Sequence, residues 1–219
     1  MRRVAWIFLC ALLVSVPASA QTELLPWFAV DAQGSWVSLP TAEGWVPVVP
    51  AGTPLPGRAF GLAGGATVYP LKTGMVTWGF GVSMHSGKGT SNPLMSAPTA
   101  TAPSVPTTTT VTTQITSMLP QVSINFGHKL GWSYLSAGYG KSKVASSSEA
   151  FGTTPAQTVP DSWNSAINFG GGARWFMKPH LGASFDVRFT KLGSRGATDI
   201  LPAAKRTQMV TISVGISIQ

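Results

Sequence analysis

The stretch from Trp163 to Leu192, WNSAINFGGGARWFMKPHLGASFDVRFTKL, contains two runs of alternating side chains joined by a tight turn at 177–180. In the second run an apolar face (Leu181, Ala183, Phe185, Val187, Phe189) opposes a polar face (Gly182, Ser184, Asp186, Arg188, Thr190). Because side chains of an extended strand point alternately to opposite sides, this pattern predicts a β-hairpin with one apolar face. A water-soluble sheet would bury that face, whereas a membrane barrel would turn it towards lipid.

Alternating runs of this kind recur along the chain, and the connections between them alternate in length. Long connections near 41–57, 86–113, 145–161 and 193–205 are interleaved with short turns near 70–74, 127–131 and 177–180. A barrel whose two chain ends lie on one side of the membrane has this rhythm, with short periplasmic turns and long outward loops. The sequence therefore predicts an all-β protein, an eight-stranded antiparallel up-and-down transmembrane β-barrel.

The first twenty residues have the pattern of a cleavable signal peptide. Arg2 and Arg3 precede an apolar core at 4–16, and small residues at 18–20 precede Gln21. We expect residues 1–20 to be the signal peptide and residues 21–219 to be the barrel domain; the alternative is a buried helix of the folded domain. Cys10 lies inside this leader, so the mature chain would have no cysteine for a disulfide, a metal site or a nucleophile.

The charge of the chain gives no indication of a nucleic-acid partner. The formal charge is +8, and removal of Arg2 and Arg3 leaves 13 basic and 7 acidic residues, hence +6. Charged residues make up only 10% of the chain and the basic ones are scattered, without the basic stripe of a nucleic-acid-binding protein. After residue 20 no apolar run approaches the length of a membrane-spanning helix.

Three segments resemble the small eight-stranded outer-membrane barrels of the OmpA/OmpX type. They are FGGGARWF at 169–176, LGASFDVRF at 181–189 and VGISIQ at 214–219. The resemblance implies a monomer in the outer membrane of a Gram-negative bacterium, without a cofactor and surrounded by outer-membrane lipid and lipopolysaccharide. It also implies recognition of the C-terminal strand by the barrel assembly machinery. The family ends this strand with an aromatic residue, whereas Gln219 follows Ile218 here.

Four charged residues fall on the polar, inward side of the predicted strands: Asp31, Arg174, Asp186 and Arg188. An eight-stranded barrel is narrow and is filled by side chains, and buried charges are costly unless they are paired. We therefore predict a structural salt-bridge network in the interior. The alternative is a small path for protons or ions.

Four tryptophans lie near predicted strand ends: Trp78, Trp132, Trp163 and Trp175. Amphipathic rings favour the membrane–water interface, so we predict an interfacial position for them; a sugar-binding role is the alternative. For 132–144 the phase of the strand is ambiguous. Leu135 and Tyr139 favour one outward face, whereas Trp132 and Tyr134 lie on the other.

Histidines offer little support for catalysis or for metal binding. His85 and Ser86 invite comparison with barrel enzymes that deacylate lipid A, but neighbouring residues of a strand point to opposite faces. His128 and His180 belong to different turns without further ligands nearby, so no metal site is expected. The Ser/Thr/Pro-rich segment that ends near 113 indicates a solvated, flexible loop, with an adhesive or glycosylated arm as the alternative.

Three functions follow from these patterns. The first is an outer-membrane barrel with a structural or surface-interaction role through its long loops, without catalysis. The second is a small barrel enzyme that modifies lipid A through His85. The third is a soluble, lipocalin-like binder of an apolar ligand, which requires the apolar strand faces to point inward.

Overall fold

A computed structural model of the chain describes residues 25–73, 76–96, 106–159, 162–197 and 202–219. Within these residues the secondary structure consists of nine strands. They are β1 (Phe28–Ser38), β2 (Arg58–Thr73), β3 (Val76–Thr90), β4 (Val111–His128), β5 (Gly131–Ser148), β6 (Gln157–Val159), β7 (Trp163–Lys178), β8 (Leu181–Leu192) and β9 (Thr207–Ile218). No helix in the described part of the chain is long and apolar enough to cross a membrane.

Eight of the strands close into an antiparallel barrel. Each pairs with its neighbours in chain order, β5 pairs directly with β7, and β9 pairs back onto β1. The remaining strand, β6, is three residues long and pairs with the end of β5 on the side that β7 occupies further along. Closure removes the unpaired sheet edges that an open sheet would expose. The predicted eight-stranded antiparallel up-and-down barrel is confirmed.

The wall is apolar outside and polar inside. Outward positions include large exposed apolar side chains such as Phe80, Leu135 and Val214. The buried inward positions carry serine, threonine, asparagine and glutamine at mid-height, for example Ser123 and Asn168. This is the inverse of a water-soluble sandwich and is the polarity of a transmembrane barrel. A lipocalin-like molecule needs the opposite arrangement, so that alternative is excluded.

Two predicted boundaries are wrong. The prediction of a turn at 70–74 is wrong for 70–73, because β2 continues to Thr73 through an irregularity between Val68 and Leu71. Pro70 lies in this irregularity, where its missing N–H breaks no ladder bond. The connection expected at 86–113 is shorter, because β3 reaches Thr90 and β4 begins at Val111.

Pro120 does not interrupt β4. The strand runs through it in register with β3, where Pro120 lies opposite Val82. On the other side, the paired positions of β4 and β5 skip from Met118 to Gln121. The proline therefore interrupts only the β5 side, and β4 remains one continuous strand of 18 residues. The predicted signal peptide, residues 1–20, lies outside the described residues.

Candidate functional site

The barrel interior is filled by two apolar clusters, one towards each end, with polar and charged side chains between them. The lower cluster lies at the end of the short turns and consists of Leu25, Ala29, Tyr69, Trp132, Tyr134 and Phe176. The upper cluster lies towards the long loops and consists of Val37, Leu39, Trp45, Ala59, Ile115, Leu119, Val144, Ala166, Leu192, Ala204 and Met209. Both clusters pack apolar atoms across the barrel and exclude water from its ends.

The charged side chains between the two clusters form a layer with two halves. The first half is a bidentate ion pair between β7 and β1. The Arg174 guanidinium donates from Nε to Asp31 Oδ1 at 2.9 Å and from Nη2 to Asp31 Oδ2 at 2.5 Å. Its Nη1 donates to Tyr69 Oη at 3.1 Å, and its Cζ lies 4.4 Å from the centre of the Tyr134 ring. A planar guanidinium suits this combination of bidentate pairing and stacking.

The second half joins β8 to β5 and β4. Arg188 donates from Nε to Asp186 Oδ1 at 2.6 Å and from Nη2 to Oδ2 at 3.0 Å. Tyr134 Oη donates to the same carboxylate at 2.5 Å, and Arg188 Nη1 donates to Gln121 Oε1. Because Tyr134 touches both arginines' ion pairs, the two halves form one network with two positive and two negative charges.

The structure thus brings together all four predicted interior charges, but as two pairs linked by Tyr134. Tyr69, Tyr134 and Gln121 were not predicted as members of the network. In the alternating pattern of its strand, each of these three residues lies on the inward side, and the sequence offered this indication of their position. The contacts of Gln121 and Tyr69 could not be predicted from the sequence, because their partners are 67 and 105 residues away along the chain.

A small cavity lies beside this network and above it. It has a volume of about 40 Å³, and its lining includes Asp31, His85, Gln121, Asn168 and Arg188. Pockets that bind drug-sized ligands are roughly 300–1,000 Å³. The cavity is therefore of a size to hold a few water molecules rather than a substrate.

Three of the four predicted interfacial tryptophans face outward. Trp78 lies near the short-turn end of β3 and Trp175 near the same end of β7, while Trp163 is the first residue of β7, at the long-loop end. All three are exposed on the outer wall, Trp175 most of all at 54%.

The prediction for Trp132 is wrong as to its side. Only 2% of this residue is exposed, because it points into the barrel. It stacks on Phe176 with ring centres 5.0 Å apart, and the Arg174 guanidinium lies 5.6 Å from its centre. Leu135 and Tyr139 face outward, as one of the two possible strand phases predicts, whereas Trp132 and Tyr134 face the interior.

His85 and Ser86 lie on opposite faces of β3, as strand geometry requires. His85 points inward, and its Nε2 shares a hydrogen bond of 2.9 Å with Ser35 Oγ of β1. The lipid A deacylation hypothesis therefore lacks the pair of residues on which it was based. His180 lies at the β7–β8 turn, where Nδ1 is 3.1 Å from the Gln219 carbonyl oxygen. Among the described residues no group of three or more histidine, cysteine or acidic side chains could hold a metal ion.

The barrel mouth is covered by two of the long connections. Trp45, in the connection between β1 and β2, is fully buried, and its Nε1 donates to the Lys205 carbonyl oxygen at 2.9 Å. Arg195, before β9, lies with its Cζ 5.6 Å from the Trp45 ring centre and donates to the Gly44 carbonyl oxygen. Gly44 has φ of +83°, and a Cβ there would lie 2.8 Å from Ala204 Cα. We call the described residues of these two connections, 39–57, 193–197 and 202–206, the mouth loops.

Both flanks of the Thr/Pro-rich connection are ordered. Met95 and Pro106 form an isolated bridge, and Thr109 Oγ1 donates to the Glu149 carbonyl oxygen at 2.6 Å. The prediction of a flexible loop is wrong for these flanks, because they bond to each other and to the residue that follows β5. Residues 97–105, where that prediction is strongest, lie outside the described residues.

No protein-family model matches the chain, and no curated protein matches it significantly. Among solved structures, Neisserial surface protein A is similar at 13% identity and a TM-score of 0.48, over 88% of this chain and 97% of that one. Ail, the attachment invasion locus protein of Yersinia pestis, has 12% identity and a TM-score of 0.43, over 87% and 95%. The outer membrane protein AlkL, solved in lipid bilayers, has 14% identity and a TM-score of 0.40, over 93% and 94%.

Proposed function

We propose that the protein is an outer-membrane barrel that acts through the loops at one end, in a structural or surface-interaction role without catalysis. The observation that carries this proposal is the polarity of the closed wall, with apolar side chains outside and a paired, neutral charge network inside. Such a wall is stable with lipid around it. Export through residues 1–20 and assembly through the C-terminal strand belong to the same proposal.

The filled interior favours a scaffold over a transporter or an enzyme. Apolar clusters lie towards both ends, and the cavity between them is about 40 Å³. The mouth loops hold Trp45 in the upper opening. Binding therefore has to use the outer faces of the long connections, which a rigid barrel presents to the medium.

The proposal is tested by insertion of the full chain into lipid vesicles. We expect the unheated protein to run as a compact species on a detergent gel and the boiled protein to run as an extended one. We also expect trypsin to leave the strands intact in vesicles and to cut only in the connections. Recovery of the protein in a soluble, lipid-free fraction would contradict the membrane assignment.

The surface role needs its own measurement, because insertion alone does not identify it. Cells that express the protein are compared with cells that express a variant whose mouth loops are replaced by short Gly/Ser turns. We expect both forms to insert, and only the complete form to change the adhesion of the cells. Equal behaviour of the two cell types would contradict a surface-interaction role of the mouth loops.

A further inference from the structure

Charged residues are distributed unevenly over the outer wall of the barrel. Within the bounds of the nine strands the acidic residues are Asp31 and Asp186, and both point inward. Every charged side chain on the outward face of these strands is therefore basic. Lys178 lies at the short-turn end, and five others lie towards the long loops: Arg58, Lys88, Lys141, Lys143 and Lys191.

Two of these lysines occur at the same height. Lys141 is the eleventh residue of β5, and Lys191 is the eleventh residue of β8, both counted from the short turns. The outward positions before them carry no charge. A tilted strand crosses the hydrocarbon layer in about 9–11 residues, so both ammonium groups emerge at the outer boundary of the membrane.

The two lysines lie on either side of β7 and share a single patch. Lys141 is paired with Ser165, and Lys191 with Ile167, so two strand spacings and two residues separate them. At ~4.8 Å per strand and ~3.4 Å per residue, their Cα atoms are about 12 Å apart. Lys143 lies one outward position beyond Lys141.

Two of these ammonium groups lie against aromatic rings of β7. Lys191 Nζ lies 5.5 Å from the centre of the Phe169 ring, and Lys143 Nζ lies 5.8 Å from that of Trp163. Both rings are exposed on the outer wall. Aromatic rings favour the interface between hydrocarbon and headgroups, where they attract cations through their π faces.

We propose that Lys141, Lys143 and Lys191, with Trp163 and Phe169, form a binding site for a phosphorylated glycolipid of the outer leaflet. The lysines would bind its phosphate groups, and the rings would pack against its sugar and the first carbons of its acyl chains. A lipid with two phosphates suits cations about 12 Å apart on the two strands that flank β7 better than a lipid with a single phosphate. This site rests on the proposed membrane insertion.

The test uses the full chain refolded in zwitterionic detergent and titrated with lipid A, a glucosamine disaccharide lipid with two phosphates. The variant K141Q/K191Q removes two charges from the patch. As a matched control, K129Q/K178Q removes two exposed charges from the opposite end, one in the β4–β5 turn and one at the end of β7. We expect the first pair to weaken lipid A binding about 10- to 30-fold and the control to change it less than about twofold. Single K191Q, expected to lose about fivefold, replaces the pair if the pair does not fold.

Three outcomes overturn the proposal. Equal losses in the two pairs would indicate general attraction to charge, and equal affinity of wild type for phosphatidylglycerol would indicate no recognition of the glycolipid. Absence of lipid A binding by a correctly folded barrel would remove the site while leaving the proposed function intact. A compact species on an unheated gel identifies the folded barrel, so failure of insertion, which removes both proposals, is recognised separately.

Discussion

At the scale of single residues, Asp31 is the counter-charge of a guanidinium that is removed from water. Arg174 is 2% exposed and cannot lose its proton, so its charge must be balanced inside the barrel. The bidentate pair, the Tyr69 hydroxyl and the Tyr134 ring together satisfy that need. Removal of the carboxylate alone is therefore more damaging than removal of both partners.

We expect Asp31→Asn to lower the free energy of unfolding by about 3–5 kcal/mol, because it leaves the Arg174 charge buried without its partner. The double variant D31N/R174M should recover a large part of this loss. Urea unfolding in lipid vesicles, followed by tryptophan fluorescence, measures both. Glu43→Gln, at an exposed loop position, is the control. Additive losses in the double variant would show that the two residues do not act as a pair.

Gly172 allows Tyr134 to lie across the barrel. A Cβ at this position would lie 2.7 Å from Tyr134 Oη and 2.3 Å from the Phe185 carbonyl oxygen. We expect Gly172→Ala to destabilise the barrel by about 1–3 kcal/mol in the same unfolding measurement. Gly34→Ala is the control, since a Cβ there would meet only the Val214 carbonyl oxygen at 3.9 Å. Equal stability of the two variants would contradict this role of Gly172.

For individual residues of the network, the sequence predicts which side of the strand they occupy but not which partner they contact. The parity of Asp186 and Arg188 in one strand places both side chains inside, because a strand with period two has only two faces. The sequence cannot reveal that Arg174 pairs with Asp31, 143 residues away, rather than with Asp186. Trp132 was misplaced for a related reason, since its strand has large apolar residues on both faces near the short turn.

At the scale of elements, the strands follow from alternation, whereas the connections depend on contacts far apart in the chain. The mouth loops show this most clearly, because Trp45 and Lys205 are 160 residues apart and neither loop has a sequence pattern of its own. The early end predicted for β2 has a local cause, since Pro70 is a turn residue that an irregular strand can also accommodate.

We expect Trp45→Ala to release the mouth loops without opening the barrel. The substitution removes the packing of a fully buried ring and its hydrogen bond to the opposite loop. Trypsin should then cut after Arg195, Lys205 and Arg206 about tenfold faster, which corresponds to a local loss of ~1.4 kcal/mol. Trp27→Ala is the control, because that ring is 73% exposed and lies at the other end. Unchanged cleavage rates would contradict the interlocking of the two loops.

At the scale of the whole molecule, the filled interior predicts a barrel without ionic conductance. Two apolar clusters and a neutral charge layer lie in series along the barrel axis, and an ion that passed them would have to lose its hydration shell. We expect purified protein in planar bilayers to give a flat current trace under applied voltage. The W45A variant should also be flat, because the charged layer and the lower cluster stay in place. Discrete current steps from wild type would contradict a plugged interior.

The pairing of β1 with β9 has a consequence for biogenesis. The seam joins Val30 to Ile218 and Val37 to Thr211, so the opening and closing segments of the polypeptide complete the same circle. Until β9 pairs with β1, the sheet has two unpaired strand edges, and each can pair with a strand of another chain. The pairing of these two edges is therefore the event that completes the barrel. A product cut short upstream of that event should be degraded rather than accumulate half-assembled.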